Sequence, residues 1–229
     1  DILNNSGIAL PATYWTDFQS QVETITRRDD NNNILLAAAP IGTADNVPRS
    51  FDIVSLLMMQ LQAEMIDERG RVQFHQIPPS LSGQEGITQP PGINALEFYT
   101  SFADPQLASY TWNSTMPDGL QSFINGRSAY FFGYAYHRPV IDAAAPGLNY
   151  AIAPMLQIQG YDRVNYANYW LQGVSTKSQY KDFAWDFVRF MTSAEEATKY
   201  LEETKRPTAI RTLYDSQLLD EEVTVFTDQ

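Results

Sequence analysis

Chemistry on a substrate needs nucleophiles, acids, bases or metal ligands at workable spacings, and this chain offers few of them. It has two histidines, His75 and His137, and no cysteine. Neither histidine sits in a helical metal spacing such as H-E-x-x-H, and the lack of cysteine removes thiolate metal sites, disulfides and a cysteine nucleophile. The nucleophile elbow G-x-S-x-G, the P-loop and the dinucleotide motif G-x-G-x-x-G are all missing. Carboxylates are more plentiful, with 27 Asp and Glu residues, so composition alone leaves a glycosidase pair open. Most of them fall on turns or in runs such as Glu195-Glu196, Glu202-Glu203 and Asp220-Glu221-Glu222, which read as solvated helix faces. Asp29 to Asn33 carries calcium-friendly oxygens but lacks the loop glycine and distal glutamate of a calcium loop, and reads as a turn. No catalytic residue, metal or cofactor is expected.

The aromatic residues point elsewhere. Phe, Trp and Tyr make up 13% of the chain, and many stand beside Gly, Pro, Asn or His. Rings next to hydrogen-bonding groups either fill a core or stack on the C–H faces of a sugar whose hydroxyls find polar partners. Composition leaves both readings open. One segment concentrates the pattern, from Phe123 through Asn125-Gly126-Arg127-Ser128-Ala129-Tyr130-Phe131-Phe132-Gly133 to Tyr134-Ala135-Tyr136-His137-Arg138. It reads as a helix end, a turn at Gly126, a strand and then a glycine leading into a new helix. Ligands of open α/β sheets sit beyond the carboxyl ends of strands and beside helix N-termini. Tyr134, Tyr136 and His137 fall at that place.

The elements that would position these side chains follow from periodicity. Thr13 is placed as an N-cap for a helix running to about Arg28, with Asp17 in its first turn and Trp15, Phe18, Val22 and Ile25 on one face. Ile34 to Ala39 reads as a buried strand, and Val47 to Ile66 as a helix with Phe51, Val54, Leu57, Met58 and Leu61 on its stripe. The Pro-, Gly-, Ser- and Gln-rich stretch 76 to 92 is a surface connection. Helices are predicted over 93–103, 117–125, 135–144 and Lys181 to Thr192, and strands over 128–132, 149–153 and 168–174. Residues 157–165 read as a polar hairpin. Another helix begins at Ser193, where Ser193-Ala194-Glu195-Glu196 matches a capping box, and a short one follows near Arg211 to Tyr214. Trp15 and Trp185 lie on helical stripes and are expected in the core; Trp112, in the polar stretch Tyr110-Thr111-Trp112-Asn113, reads either as a rim aromatic or, the preferred reading, as a cover over a loop. Strands alternating with helices predict an α/β protein with mostly parallel pairing.

Bulk properties exclude other classes. The formal net charge of −12 gives no basic surface for nucleic acid. The apolar run around Ile53 to Met59 is too short to span a bilayer, and Asp1-Ile2-Leu3-Asn4-Asn5 has neither a basic nor an apolar leader region.

The order F-x-N-G-R-S-A-Y-F-F-G followed by L-N-Y-A-I-A-P-M resembles the family 1 extracellular solute-binding proteins of ABC transporters, the maltose-binding-protein-like group. Pro11 to Phe18 is similar to that family's P-x-T-W-x-E-F at the start of its second lobe, and residues 165–175 to the strand that returns to the first lobe. Phe183-Ala184-Trp185-Asp186-Phe187-Val188-Arg189-Phe190-Met191-Thr192-Ser193 is similar to its A-W-x-F-I-x-F-L-x-S. The resemblance implies a periplasmic-binding-protein-like α/β fold of type II, with one near-complete lobe and part of the other. On that template residues 1–10 are an inter-lobe crossing, 11–155 lobe two, 156–215 a returning part of lobe one, and 216–229 the start of a return to lobe two. The family's N-terminal portion, with its signal or lipid anchor, would lie outside this chain.

The resemblance further implies a sugar-binding importer component held outside the cytoplasm, a mono- or oligosaccharide ligand, ABC permease subunits as partners, and hinge closure around the ligand. Tyr136 falls at the family's stacking aromatic, with Tyr134 the nearest substitute and His137 beside them. Phe51 matches another stacking position. Asn168 and Trp170, with Tyr169 between them, lie on the returning strand, where Trp170 is either a site residue or a core tryptophan at the lobe junction. An incomplete lobe would expose apolar faces, so dimerisation through it is a further expectation.

Overall fold

The computed structural model describes residues 1–217 and 221–227 of the 229. The described chain divides into two compact units, residues 1–133 with 139–166, and residues 134–138 with 167 onward.

The first unit contains the core. After a one-turn helix α1 (Ile2–Asn5), helix α2 (Trp15–Ile25) buries Trp15, Phe18, Val22 and Ile25, the face its periodicity predicts. Its cap differs from expectation. Thr13 does not cap it; the N-cap is Tyr14, and the Trp15 N–H donates to the Gln157 carbonyl at 3.0 Å, so a neighbouring strand-like segment satisfies the orphan donor instead of a side chain. Strands β1 (Arg27–Arg28) and β2 (Ile34–Leu36) form an antiparallel pair around the Asp29–Asn33 turn. There the Asp29 carboxylate accepts from the Asn31 and Asn33 N–H groups at 2.9 and 2.8 Å. Bonding from the Asn33 side chain and backbone holds its pKa below the ordinary value. The loop is closed by its own hydrogen bonds, as a turn should be.

Helix α3 (Ser50–Gln60) is shorter than the predicted 47–66. Arg49 before it and Gln62 after it both take left-handed backbone conformations. The Ala63 N–H donates to the Met58 carbonyl at 2.8 Å and the Gln62 N–H to Met59 at 2.9 Å, which closes the helix end well before Ile66. Helices α4 (Pro91–Ser101) and α5 (Gly119–Ile124) follow, and then α6 (His137–Ala144), whose first two residues fall in the second unit. Proline at the start of α4 suits a position whose N–H has no helical partner.

One buried glutamine ties distant pieces of this core together. Gln60 accepts from the Trp15 indole N–H at 2.7 Å, while its amide donates to the carbonyls of Leu156 (2.8 Å) and Val164 (3.0 Å). A polar side chain at 1% exposure is tolerable only when bonded in this way. Around it Trp15, Phe18, Phe98, Phe102, Tyr130 and Phe132 meet mostly edge to face, with ring centroids 5.2 to 5.8 Å apart.

Trp112 corrects an expectation. It is fully buried in this core, not over a loop, and its indole N–H donates to Asn46 Oδ1 at 3.1 Å. Asn46 in turn donates to the carbonyls of Asn113 and Met116, each at 2.9 Å, which ties the indole to the loop that follows it.

The strand predictions need more revision. Ile34 to Ala39 pairs as a strand only to Leu36; Ala37 then bridges Ser128 in parallel, and Ala38 accepts from the Tyr130 N–H at 2.8 Å. Tyr14 and Gln157 make a second parallel bridge. Among the described residues, 149–153 and 168–174 form no ladder. A strand exists only by virtue of a partner, and an apolar run cannot state whether one is within reach.

The second unit is helical, with α7 (Lys181–Met191), α8 (Ala194–Thr204), α9 (Arg211–Gln217) and α10 (Glu221–Thr227). Ser193 caps α8 as expected, its hydroxyl accepting from the Glu196 N–H at 3.4 Å. Trp185 is expected in the core and is 43% exposed, and its helix leaves Phe183, Phe187 and Phe190 exposed as well.

Candidate ligand-binding site

The segment that leads to the candidate site is built as its sequence implies. Asp118 caps α5, its carboxylate accepting from the Gln121 N–H at 3.1 Å. Gly126 takes φ +66° after the helix, and the Arg127 N–H donates back to the Ser122 carbonyl at 2.8 Å. Residues 130–132 then alternate. Tyr130 and Phe132 turn into the aromatic core, whereas Phe131 lies beside Phe123 with centroids 5.9 Å apart. Tyr130 donates its hydroxyl proton to Gln21 and accepts from the Ala12 N–H at 3.3 Å; burial pushes the phenol pKa up.

Tyr134, Tyr136 and His137 come together in the second unit. The two tyrosine rings are nearly parallel, 15° between planes and 5.9 Å between centroids, and Tyr136 leans on the His137 ring at 4.1 Å. His137 is buried and both tyrosines are half-buried. Two hydrogen bonds of 2.9 Å lock the turn: Tyr134 N–H donates to His137 Nδ1, and His137 N–H donates to the Tyr134 carbonyl. An imidazole that accepts through Nδ1 carries its proton on Nε2 when neutral. The arrangement is therefore a pair of stacked rings with phenol groups, held by a histidine whose orientation is set by backbone. Such a cluster offers apolar faces and hydrogen-bonding groups side by side.

The other candidate residues come from different stretches of the chain. Asn168 and Trp170 are exposed in the second unit, Trp170 at 91%, so Trp170 is not a core tryptophan. Phe51 lies in the first unit, on the first turn of α3, with 71% of its surface exposed. A hollow of about 230 Å³ lined by Thr208, Ile210, Arg211 and Tyr214 contains none of the candidate residues. Among the described residues no group of three or more His, Asp or Glu could hold a metal, and no helix is long and apolar enough to cross a membrane.

Residues 1–198 match the family model described as bacterial extracellular solute-binding protein. The chain belongs to this family. No curated protein matches the sequence. Among solved structures, CpMnBP1 with mannobiose bound is similar over 100% of this chain and 55% of its own, at 13% identity and a TM-score of 0.67. An ABC transporter solute-binding protein from Thermotoga lettingae TMO, bound with α-D-tagatose, is similar over 98% of this chain and 54% of its own (18% identity, TM-score 0.66). A cyclo/maltodextrin-binding protein complexed with maltotetraose is similar over 97% and 53% (18% identity, TM-score 0.62). The fold is thus α/β and periplasmic-binding-protein-like, and the chain spans about half the length of the solved relatives it matches. The family's description places its members outside the cell.

Proposed function

We propose that this solute-binding protein takes a mono- or oligosaccharide for an ABC importer, gripping it by ring stacking and hydroxyl hydrogen bonds and leaving it chemically intact. The observation that carries the reading is the stacked Tyr134–Tyr136 pair fixed by the His137 hydrogen bonds. Rings already held in place lose little side-chain entropy on binding, which favours stacking on a ligand. The sugars bound by the solved relatives support the same chemistry.

In this reading Tyr136 is the principal stacking face, Tyr134 extends it and His137 orients both. Phe51, Asn168 and Trp170 complete the contacts when two lobes close on the ligand by hinge motion. Lobe two is residues 11–155 and the returning part of lobe one is 156–215. The partners are the sugar and ABC permease subunits, and the protein works in the periplasm or as a cell-surface lipoprotein. No catalytic group and no cofactor enters the scheme.

The test is calorimetric titration against a panel that includes mannobiose, maltotetraose and tagatose. It is run on the 229-residue chain and on the product of the reading frame that contains it, with chromatography of the recovered sugar. Saturable binding of at least one glycan, recovered unshortened, is the expected result. Flat titrations across the panel with both proteins would overturn the carbohydrate reading. A shortened product, lost on replacing one carboxylate, would make the protein a hydrolase.

A further inference from the structure

Phe51 opens α3 with 71% of its surface exposed, so packing holds little of its ring. Its place is set by the backbone that leads to it. Two residues earlier Arg49 takes a left-handed conformation, φ 61° and ψ 27°, which a residue with a Cβ rarely adopts. Such a conformation persists where the surroundings over-determine it. The Asp52 and Ile53 N–H groups both donate to the Arg49 carbonyl, at 3.0 and 3.1 Å. The Ser50 hydroxyl donates to the Ala44 carbonyl at 3.3 Å, which closes 44–50 into a loop.

Asn46 lies inside that loop and anchors it. Its Oδ1 accepts from the Trp112 indole N–H and from the Thr43 hydroxyl, and its Nδ2 donates to the carbonyls of Asn113 and Met116. Both amide protons and both lone pairs of the side chain are thereby used. The Asn46 carbonyl accepts from the Gly119 N–H at 2.9 Å, at the start of α5. The anchor reaches the core, because Trp112 and the next residue along, Val47, are both buried. Tyr99, also buried, donates its hydroxyl proton to the Thr43 carbonyl at 2.6 Å and holds the near end. We propose that Asn46 is a positioning residue for Phe51: it fastens the 44–50 loop to the core, and with it the left-handed turn that presents the exposed ring. That the ring meets a sugar rests on the carbohydrate reading above, whereas the hold of Asn46 on the loop does not.

Two measurements test it separately. Amide exchange read by NMR on Asn46→Ala should show the Asp52, Ile53 and Gly119 amides exchanging about 10-fold faster or more, with Phe18 and Val22 of α2 changed by less than about threefold. Thr43→Val removes one of the bonds to Asn46 and keeps the rest, so it carries the same test in a milder form, with about a threefold rise at those three amides. Unchanged exchange there, or a rise no larger than in α2, would overturn the proposal whether or not any glycan binds. The second measurement is a double-mutant cycle in the titrations with the glycan that binds. Asn46→Ala should weaken binding by about 10-fold when Phe51 is present and by less than about twofold in a Phe51→Ala background. Gln60→Ala, which loosens the same core elsewhere, should leave the Kd within about twofold. Equal weakening in both backgrounds, or a Kd that Phe51→Ala does not move, would overturn the role of Asn46 in binding. Flat titrations across the panel would sink the carbohydrate reading alone, with the exchange result still deciding whether Asn46 holds the loop.

Discussion

Helices α2 and α7 are both eleven residues long, and each carries a stripe of aromatic and aliphatic side chains at helical spacing. Their fates differ. Trp15, Phe18, Val22 and Ile25 of α2 vanish into a core completed by Phe98, Phe102, Tyr130 and Phe132, whereas Phe183, Phe187 and Phe190 of α7 face outward. Periodicity states that a helix has something to bury. It does not state whether the rest of the chain can receive it.

The largest test of this contrast is a pair of identical substitutions. Phe18→Ala removes a ring from the packed aromatic cluster and should cost about 3–5 kcal/mol in urea unfolding followed by circular dichroism. Phe187→Ala in the same 229-residue chain should change stability far less, by about 0.5 kcal/mol or below, because most of its ring surface is already exposed. Equal costs would erase the distinction between the two helices.

Polar ties sharpen it. Gln60→Ala would strand the Trp15 indole N–H and the Leu156 and Val164 carbonyls in the core, for a loss of about 1–3 kcal/mol by the same measurement. In the second unit the corresponding experiment reads binding. Tyr136→Ala should weaken association with whichever glycan titrates by about 1–3 kcal/mol, the worth of one aromatic contact. An unchanged Kd would remove Tyr136 from the site.

Two smaller effects complete the series. Tyr99 is buried in the first unit, donating to the Thr43 carbonyl at 2.6 Å, and burial raises its pKa above the ordinary 10.0. The unfolded chain therefore gives up this proton first. The associated stability is complete below about pH 10 and declines as the pH rises further. Alkaline unfolding should start there, and Tyr99→Phe should flatten that limb while costing about 1 kcal/mol at neutral pH. Ser193→Ala removes the α8 cap, worth about 1 kcal/mol, which should appear as faster amide exchange in α8 with little change in α2 or α3.

Local signals were legible before any coordinates. The α2 stripe, the Asp29 turn, the Gly126 stop and the Ser193 cap are each decided by neighbours a few residues away, and each stands where the sequence puts it. Of the candidate site, only the local cluster was legible. Tyr134, Tyr136 and His137 meet because a four-residue turn brings them together. Phe51, Asn168 and Trp170 come from separate stretches, and no short-range rule unites them.

What the sequence determined by itself is helical periodicity, turn chemistry, the absence of cysteine and the run of family motifs, since all of these are written in adjacent residues. Tertiary structure alone decided that Trp112 is core, that Trp185 is half-exposed, and that residues 149–153 and 168–174 form no ladder. Burial and strand pairing are properties of partners distant in sequence. An amphipathic stripe or an extended apolar run declares a need, and only the folded chain shows whether it has been met.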